Sequence, residues 1–264
     1  MKKITGIIIT ALALSSCTKE INIDLNSTNP QIVIEGSITD EPGPYLIKIT
    51  KTVNFSESNN YPPIAGALVV ISDNTSGVTD TLNETTPGLY QTNQIIGAQG
   101  HTYQLKVIAE EKEYNAKSTM PIKVNLNTLL FNTISLPGAN SSYFVVPVYS
   151  DPINQGNNYR YFQSVNGKKD ESYLISNDNV GNGVINQRPL FSQGVEINIG
   201  DTVTFSMRCI DLDAYTYFYT LSQIAGSGPG GGTTPTNPPN NITGNYALGL
   251  FSAYTTQTRT QVVR

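Results

Sequence analysis

Short runs in which apolar and polar residues alternate recur along almost the whole chain, and this pattern limits the fold more than any other feature. In Tyr45–Val53, for example, Ile47 and Ile49 are separated by a polar residue, as expected of a strand with one buried face. Seven such segments, bounded by Gly, Pro, Asn and Asp, lie between residues 31 and 119. Short strands at this spacing predict an immunoglobulin-like β-sandwich over residues 30–120.

A second series of strand-like runs follows Pro121, which we take as the start of a second β domain over residues 121–264. The runs cover residues 126–134, 143–149, 159–165, 171–175, 195–199 and 202–210. Most are rich in β-branched or aromatic residues, as strands are. The chain is therefore predicted to be mainly β, with two β-sandwich-like domains.

One segment of the second domain has a helical period instead of alternation. Its apolar residues, three or four positions apart, are Ala214, Tyr217, Phe218, Leu221 and Ile224. Asp211 or Asp213 can cap the N-terminus of a helix here, and Gly226 can end it. We predict one helix, over residues 212–225, packed on the second sheet.

The predicted helix is followed by Gly226–Asn240, a low-complexity segment of Gly, Pro, Thr and Asn. Because such a composition does not bury a core, it predicts a flexible Gly/Pro loop. Residues 241–254 are apolar again, and Tyr246, Leu248 and Leu250 alternate with small residues. We predict a C-terminal strand that returns beside an earlier strand of the second domain, with this face buried.

The N-terminus has the parts of a bacterial export signal. Two lysines precede an apolar run from Ile4 to Leu14, and Ser15, Ser16 and Cys17 follow it. The run suits a signal peptide and is too short to span a bilayer. Leu14 to Cys17 resembles the lipobox of bacterial lipoproteins, in which the cysteine thiol is alkylated with diacylglycerol before cleavage.

These features predict a signal peptide over residues 1–16, lipidation at Cys17 and a lipidated linker over residues 17–29. The lipid makes the membrane a partner, because two or three acyl chains hold a protein stably at a bilayer. The polar, partly acidic residues after Cys17 resemble the surface-export signal of Bacteroidota lipoproteins. We expect a lipid-anchored outer-membrane protein at the cell surface, with a periplasm-facing position as the alternative.

Charge and cysteine content exclude some classes of function. The net charge of −4 and the pI near 5.0 argue against nucleic acid as a partner. Once Cys17 carries lipid, Cys209 is the one remaining cysteine, so no disulfide within the chain is expected. Apolar residues alternate around Cys209, which predicts an inert thiol on the inner face of a strand.

A catalytic site needs titratable groups that converge on a pocket, and the sequence offers few. His101, the single histidine, is interpreted as a turn residue, and Asp211 with Asp213 as helix caps. Residues 177–183 are rich in Asn, Asp and Gly but lack the spaced acids of a calcium loop. We therefore expect no catalytic residue, no metal site and no cofactor.

Two other kinds of residue are candidate sites. Thr81 and Thr202 each follow Asp and precede an apolar residue, a tripeptide that resembles the O-glycosylation acceptor of Bacteroidota. Tyrosine is abundant, with fifteen residues and no Trp, and its rigid amphipathic ring suits interfaces and stacking on sugars. We take Tyr159, Tyr161 and Tyr173 as candidate contacts with a ligand or partner.

Several motifs occur in the order found in a Bacteroidota lipoprotein family. They are Lys19–Leu25, Glu35–Gly36, Gly66–Val69, Gly88–Tyr90, Gly100–Leu105, Tyr215–Phe218, Asn240–Gly244 and Leu248–Ala253. Over nearly its whole length the chain resembles the family called domain of unknown function 4249. The resemblance implies an outer-membrane lipoprotein, often encoded beside a TonB-dependent, SusC-like transporter, and supplies no catalytic residues.

Taken together, the sequence predicts a non-enzymatic outer-membrane surface lipoprotein. Its expected role is an accessory or binding component of a TonB-dependent (SusC-like) transport or export system, with that transporter as partner. The alternative is a nutrient-binding module for glycans or peptides. A hydrolase is a further interpretation, but it requires a clustered acid pair or a metal site that the sequence does not display.

Overall fold

The computed structural model describes residues 29–54, 57–134, 142–192, 194–226 and 237–264. Strands hold 50% of the chain and helix 6%, which confirms the predicted mainly β class with a single described helix near the C-terminus. The predicted signal peptide, Cys17 and most of the predicted linker and Gly/Pro loop lie outside the described residues.

The strands are numbered in chain order. The first eight are β1 (Ile32–Thr39), β2 (Leu46–Lys51), β3 (Leu68–Asp73), β4 (Thr79–Thr81), β5 (Asn83–Thr86), β6 (Leu89–Gln91), β7 (Thr102–Ala109) and β8 (Lys112–Thr119). The next seven are β9 (Leu126–Ile134), β10 (Ser142–Ser150), β11 (Asn158–Val165), β12 (Lys168–Lys169), β13 (Leu174–Asn177), β14 (Ile185–Asn186) and β15 (Thr202–Ile210). The helix α1 (Leu212–Gly226), β16 (Ile242–Gly244) and β17 (Leu248–Val262) follow.

The first eight strands form a sandwich with immunoglobulin topology. One sheet has the order β1-β2-β6-β5 and the other β8-β7-β3-β4. Lettered in chain order, with β4 as C′, these are the A-B-E-D and G-F-C-C′ sheets of immunoglobulin-like domains. The sequence pattern missed β5 because all four of its residues are exposed and so have no apolar alternation.

The core of this first sandwich comes from the inner faces of both sheets. Ile34, Ile47 and Ile49 pack from one sheet, and Val69 and Tyr103 from the other. Tyr103 lies near the start of β7, and its hydroxyl accepts a hydrogen bond from the amide of Ala98 at 2.7 Å. The same hydroxyl donates to the carbonyl of Ile96. This is the tyrosine corner of immunoglobulin-like folds, and it anchors the loop before β7.

A second sandwich follows, with its own core. Strands β12, β11 and β15 and the second half of β17 form one sheet, to which β13 adds through β11, and β14-β10-β9 form the other. Between the sheets lie Val145 and Tyr149 from β10, Tyr161 from β11, and Phe205 and Cys209 from β15. Cys209 is a buried free thiol, as its alternation predicted, and burial raises its pKa.

The two sandwiches share β17. Its residues 248–254 pair in parallel with β1 of the first sandwich. Residues 255–262 pair antiparallel with β15 of the second. One sheet, β12-β11-β15-β17-β1-β2-β6-β5, therefore runs through both sandwiches.

The predicted return of residues 241–254 to the second domain was wrong. β16 pairs with β8 and the first half of β17 with β1, so this segment extends both sheets of the first sandwich. Its core-facing residues are Ala247, Phe251 and Ala253, whereas Tyr246 is 64% exposed. The predicted strand at 195–199 was also wrong, because this stretch is irregular, although its Ile197 is buried in the second core.

Hydrogen bonds at the junction hold α1 in place. Asp211 caps the helix, because its Oδ1 accepts the amide of Ala214 at 2.9 Å. Its other oxygen accepts the hydroxyl of Ser118 from β8. The same Ser118 Oγ accepts the amide of Ala253 in β17 at 2.7 Å, so one serine ties the helix cap to the shared strand.

Candidate functional site

The outer face of the shared sheet, opposite both cores, forms the floor of a groove, and α1 forms one wall. Strand alternation decides which residues reach this face: in β17, Phe251 and Ala253 point into the first core, whereas Leu250, Ser252 and Tyr254 line the groove. The groove has a volume of about 620 Å³. Small-molecule sites commonly have volumes in this range.

Two arginines lie on the groove floor, each close to two aromatic rings. The guanidinium carbon of Arg160 is 3.5 Å from the ring centroid of Phe218 and 4.5 Å from that of Phe162. The guanidinium carbon of Arg208 is 4.3 Å from the ring centroids of both Phe162 and Tyr254. We call these five side chains the arginine–aromatic row; their order in space is Phe218, Arg160, Phe162, Arg208 and Tyr254.

The row places the positive charges of Arg160 and Arg208 close together, because the two residues are opposite each other in the pairing of β11 with β15. Burial lowers the pKa of Arg160 to about 10, and the charge of Arg208 acts in the same direction. Burial also lowers the pKa of Arg208. Stacking on aromatic faces stabilises both cations, but neither forms an ion pair with another described residue.

Polar atoms in the groove lack partners. The Nε of Arg208 and the Oγ of Ser252 are buried and have no hydrogen-bond partner among the described residues. Ser252 is 6% exposed. Buried polar groups are nearly always paired, so these two atoms leave unused hydrogen-bonding capacity beside the groove.

The rest of the lining is mixed. Glu35 and Ser37 come from β1, Leu46 from β2, and Leu221 from α1; Tyr173 lies just before β13. The groove is thus built from both sandwiches and the helix, and no single domain would form it.

The structure separates the three candidate tyrosines. Tyr173 lines the groove and is 40% exposed. Tyr159 and Tyr161 lie in the second core, where burial raises the pKa of each hydroxyl. Their role as ligand or partner contacts stays a prediction, but neither lines the groove.

The hydroxyls of the buried tyrosines line a smaller cavity of about 240 Å³. Tyr159 donates to Asp151 at 2.5 Å. The Tyr161 hydroxyl lies 2.8 Å from that of Tyr149 and 2.7 Å from the Ser176 Oγ. Because these groups satisfy one another, the cluster is explained as a packed polar element of the core.

The two candidate glycosylation threonines are both exposed. Thr81 ends β4, and the preceding Asp80 accepts backbone amides of the loop after β6, including that of Gln94 at 2.8 Å. Thr202 begins β15, and the preceding Asp201 binds the side chain of Asn166. Modification at either threonine stays a prediction.

The remaining sequence candidates are placed as follows. The Nδ1 of His101 lies 2.8 Å from Asp73 Oδ2 in a turn. Asp178, from the Asn-rich stretch, accepts the amides of Gly156 and Asn157. Among the described residues, no group of three or more His, Cys, Asp or Glu is placed to hold a metal ion. In the same part of the chain, no helix has the length and apolarity needed to cross a membrane.

Sequence reasoning missed Arg160 and Arg208. The available signal was strand parity: in β11 and β15 the core face carries Tyr159, Tyr161 and Cys209, so the intervening Arg160 and Arg208 face outward. Phe162 shares that outward face. A large aromatic beside two arginines on an outer face indicates a covering element, and α1 is that element.

Comparison with known proteins gives one family. The model of the family "Domain of unknown function (DUF4249)" matches residues 18–260. A search of the curated proteins found no match to the chain. The family match covers well over half of the chain, so this protein belongs to that family.

Proposed function

We propose that this member of the DUF4249 family is a non-enzymatic, lipid-anchored surface component of a Bacteroidota outer-membrane transport or export system. In this proposal the groove between the shared sheet and α1 holds the ligand. The observation that carries it is the groove itself, because its unpaired donors and aromatic rings come from both sandwiches and the helix. Such a site belongs to a binding protein.

The anchor part of the proposal rests on the sequence. The signal peptide over residues 1–16 and the lipobox cysteine, Cys17, would place the chain at the outer membrane, with palmitate among its acyl chains. The partner would be a TonB-dependent, SusC-like transporter. These residues lie outside the described part of the chain, and the motif alone supports the anchor.

An exposed apolar cluster offers a surface for the transporter. Ile153, Val180, Val184 and Ile185 in the second sandwich are between 55% and 81% exposed. They are neighbours, since Gly183 packs against Ile153 and the other three line one cavity rim. Contiguous exposed apolar residues of this kind mark interaction sites.

The composition of the groove favours binding over hydrolysis. Among its described lining residues Glu35 is the one carboxylate, whereas a hydrolase needs paired acids or a nucleophile with its base. Tyr173, Tyr217 and Tyr254 supply aromatic surface. Independent capture of a glycan or peptide nutrient is the second candidate function, and these tyrosines are what favours it.

Site-specific photo-crosslinking in living cells separates the two functions. A photoreactive residue at Ile153 should crosslink the native lipoprotein to a TonB-dependent transporter. The matched control is Val78, which is 41% exposed and lies beside β4 in the first sandwich. If Ile153 yields no transporter, or no more than Val78, the accessory function is wrong and nutrient capture without a transporter takes its place.

A further inference from the structure

The described groove residues carry an unbalanced charge. Arg160 and Arg208 are both cationic, and Glu35, the one acid of the lining, is exposed at its rim. The sum over these three groups is one positive charge. The charge of Glu41, which lies outside the lining, acts on Arg208, whereas Arg160 forms no ion pair with a described residue. A partly buried cation without a counter-charge is costly, so Arg160 favours a ligand that brings one negative charge.

The N–H groups of the arginines decide how such a ligand would bind. Each guanidinium carbon lies over two aromatic rings, and neither arginine forms an ion pair with a described residue, so its in-plane N–H edge can donate to an anion. A carboxylate is planar and accepts two parallel N–H bonds from that edge. The Nε of Arg208 and the hydroxyl of Ser252 are also unpaired, but both atoms are buried, so they would donate to a ligand only if their side chains shifted toward the groove.

The apolar residues of the lining indicate what kind of chemical group the rest of the ligand carries. Leu46 and Leu221 line the groove and offer no hydrogen bonds from their side chains, while Ile210 and Leu250 of the lining are already packed against Ala214 of α1. An anion with an apolar body would therefore bury its hydrocarbon against Leu46 and Leu221 while its head binds the row.

We propose that the groove binds amphipathic monocarboxylates, with the carboxylate held by Arg160 and Arg208 and the apolar body lying against α1. This inference rests on the proposed binding function and names its ligand class. It predicts that charge, more than shape, decides what binds.

The test uses the full-length lipoprotein in detergent and two probes of the same shape. They are 4,4,4-trifluorobutyrate and its neutral amide, both followed by ¹⁹F NMR line broadening. The carboxylate should bind at least tenfold more tightly than the amide, because charge-assisted hydrogen bonds are lost in the amide. Equal binding of both probes would leave a binding groove but overturn the anionic ligand class.

Variants locate the binding. Arg160→Met and Arg208→Met should each raise the apparent Kd for trifluorobutyrate at least tenfold, whereas Arg264→Met, at an exposed position, should leave it unchanged. Urea midpoints of the two groove variants should stay near that of the parent, since an apolar residue replaces an unpaired charge. If both variants unfold earlier and bind normally, the arginines are structural and the inference is wrong.

A competition experiment distinguishes carboxylate from phosphate. Acetate should displace the fluorinated probe at lower concentration than inorganic phosphate does. Stronger displacement by phosphate would overturn the monocarboxylate class. Absence of any probe binding would overturn the inference too, while transporter crosslinking from Ile153 would still decide the proposed function by itself.

Discussion

Gly249 of β17 lies so close to Ile34 of β1 that a Cβ at position 249 would come within 2.0 Å of the Ile34 carbonyl oxygen. The φ of Gly249 is +107°, a conformation that side chains disfavour. Since residue 249 is in the parallel pairing with β1, this contact sets how closely the C-terminal strand approaches the first sandwich.

Gly249→Ala should therefore lower the free energy of unfolding in urea. The matched control is Gly200→Ala, because Gly200 has a φ of +89° and no atom within 4 Å of a built Cβ. The control carries backbone strain alone, on the order of 1–2 kcal/mol, and Gly249→Ala should cost roughly 2 kcal/mol more. Equal losses in the two variants would mean that β17 shifts away without penalty.

The strands themselves follow from local pattern, but their partners do not. β9 and β15 have the predicted bounds, 126–134 and 202–210, because the residue pattern that predicts a strand is a property of the segment. The partner of β17 could not be predicted in this way, because β17 pairs with β1, more than 200 residues earlier in the chain. The alternation within β17 fits the inner face of either sandwich. The residues that face the first core are Phe251 and Ala253, one position out of step with the predicted Leu248 and Leu250. Leu250 is buried as predicted, but on the opposite face, against Ile210 and Ala214.

The groove could not be predicted from the sequence for a similar reason. Arg160 and Arg208 lie far apart in sequence and become neighbours only because β11 pairs with β15, with Arg160 opposite Arg208 in the register. The helix was predicted with its cap, yet the sequence gives no indication of which face of the sheet it covers. Tyr173 is the candidate residue that the fold brings to the groove.

The lowered pKa of Asp73 predicts that the folded protein loses stability in acid. Burial alone would raise its pKa, but donors from Ser76, His101 and Thr75 outweigh burial and hold the pKa at about 2. Because the folded pKa lies below the unfolded value, the contribution is fully present above about pH 4 and is lost as the pH falls toward 2. It amounts to about 2 kcal/mol.

Urea unfolding of Asp73→Asn between pH 6 and pH 2 measures this contribution. The parent should lose its advantage over the variant as the pH falls through the window between 4 and 2. Glu111→Gln, at an exposed turn position, serves as the control and should follow the parent at every pH. Parallel curves for the parent and Asp73→Asn would contradict the lowered pKa.

The lipid anchor is tested by Cys17→Ala. In cells, this variant should remain an uncleaved precursor and lose metabolic labelling with palmitate, because residue 17 no longer has a thiol to accept the diacylglycerol. The matched control is Cys209→Ala, which removes a buried thiol and should keep the label. Palmitate that persists in Cys17→Ala would show that lipid attaches elsewhere or that the lipobox interpretation is wrong.

The shared strand β17 predicts that the two sandwiches unfold as one cooperative unit. Its first half contributes Phe251 to the first core and its second half pairs with β15, which carries Cys209 in the second core. When the first sandwich opens, β17 loses β1 and its buried residues together. The second sandwich then holds a strand whose other half is exposed to water.

Phe251→Ala tests this coupling with Cys209 as the reporter, in a Cys17→Ala background so that one thiol remains. Phe251 is fully buried, so its truncation should cost about 3–5 kcal/mol. Under cooperative unfolding, the urea concentration at which Cys209 becomes reactive to a thiol reagent should fall, although the substitution lies in the other core. Thr258→Ala, at an exposed position of the same strand, should leave that midpoint within error. Should Cys209 keep the parent's midpoint while circular dichroism shows early loss of the first sandwich, the two halves of β17 separate and each sandwich folds alone.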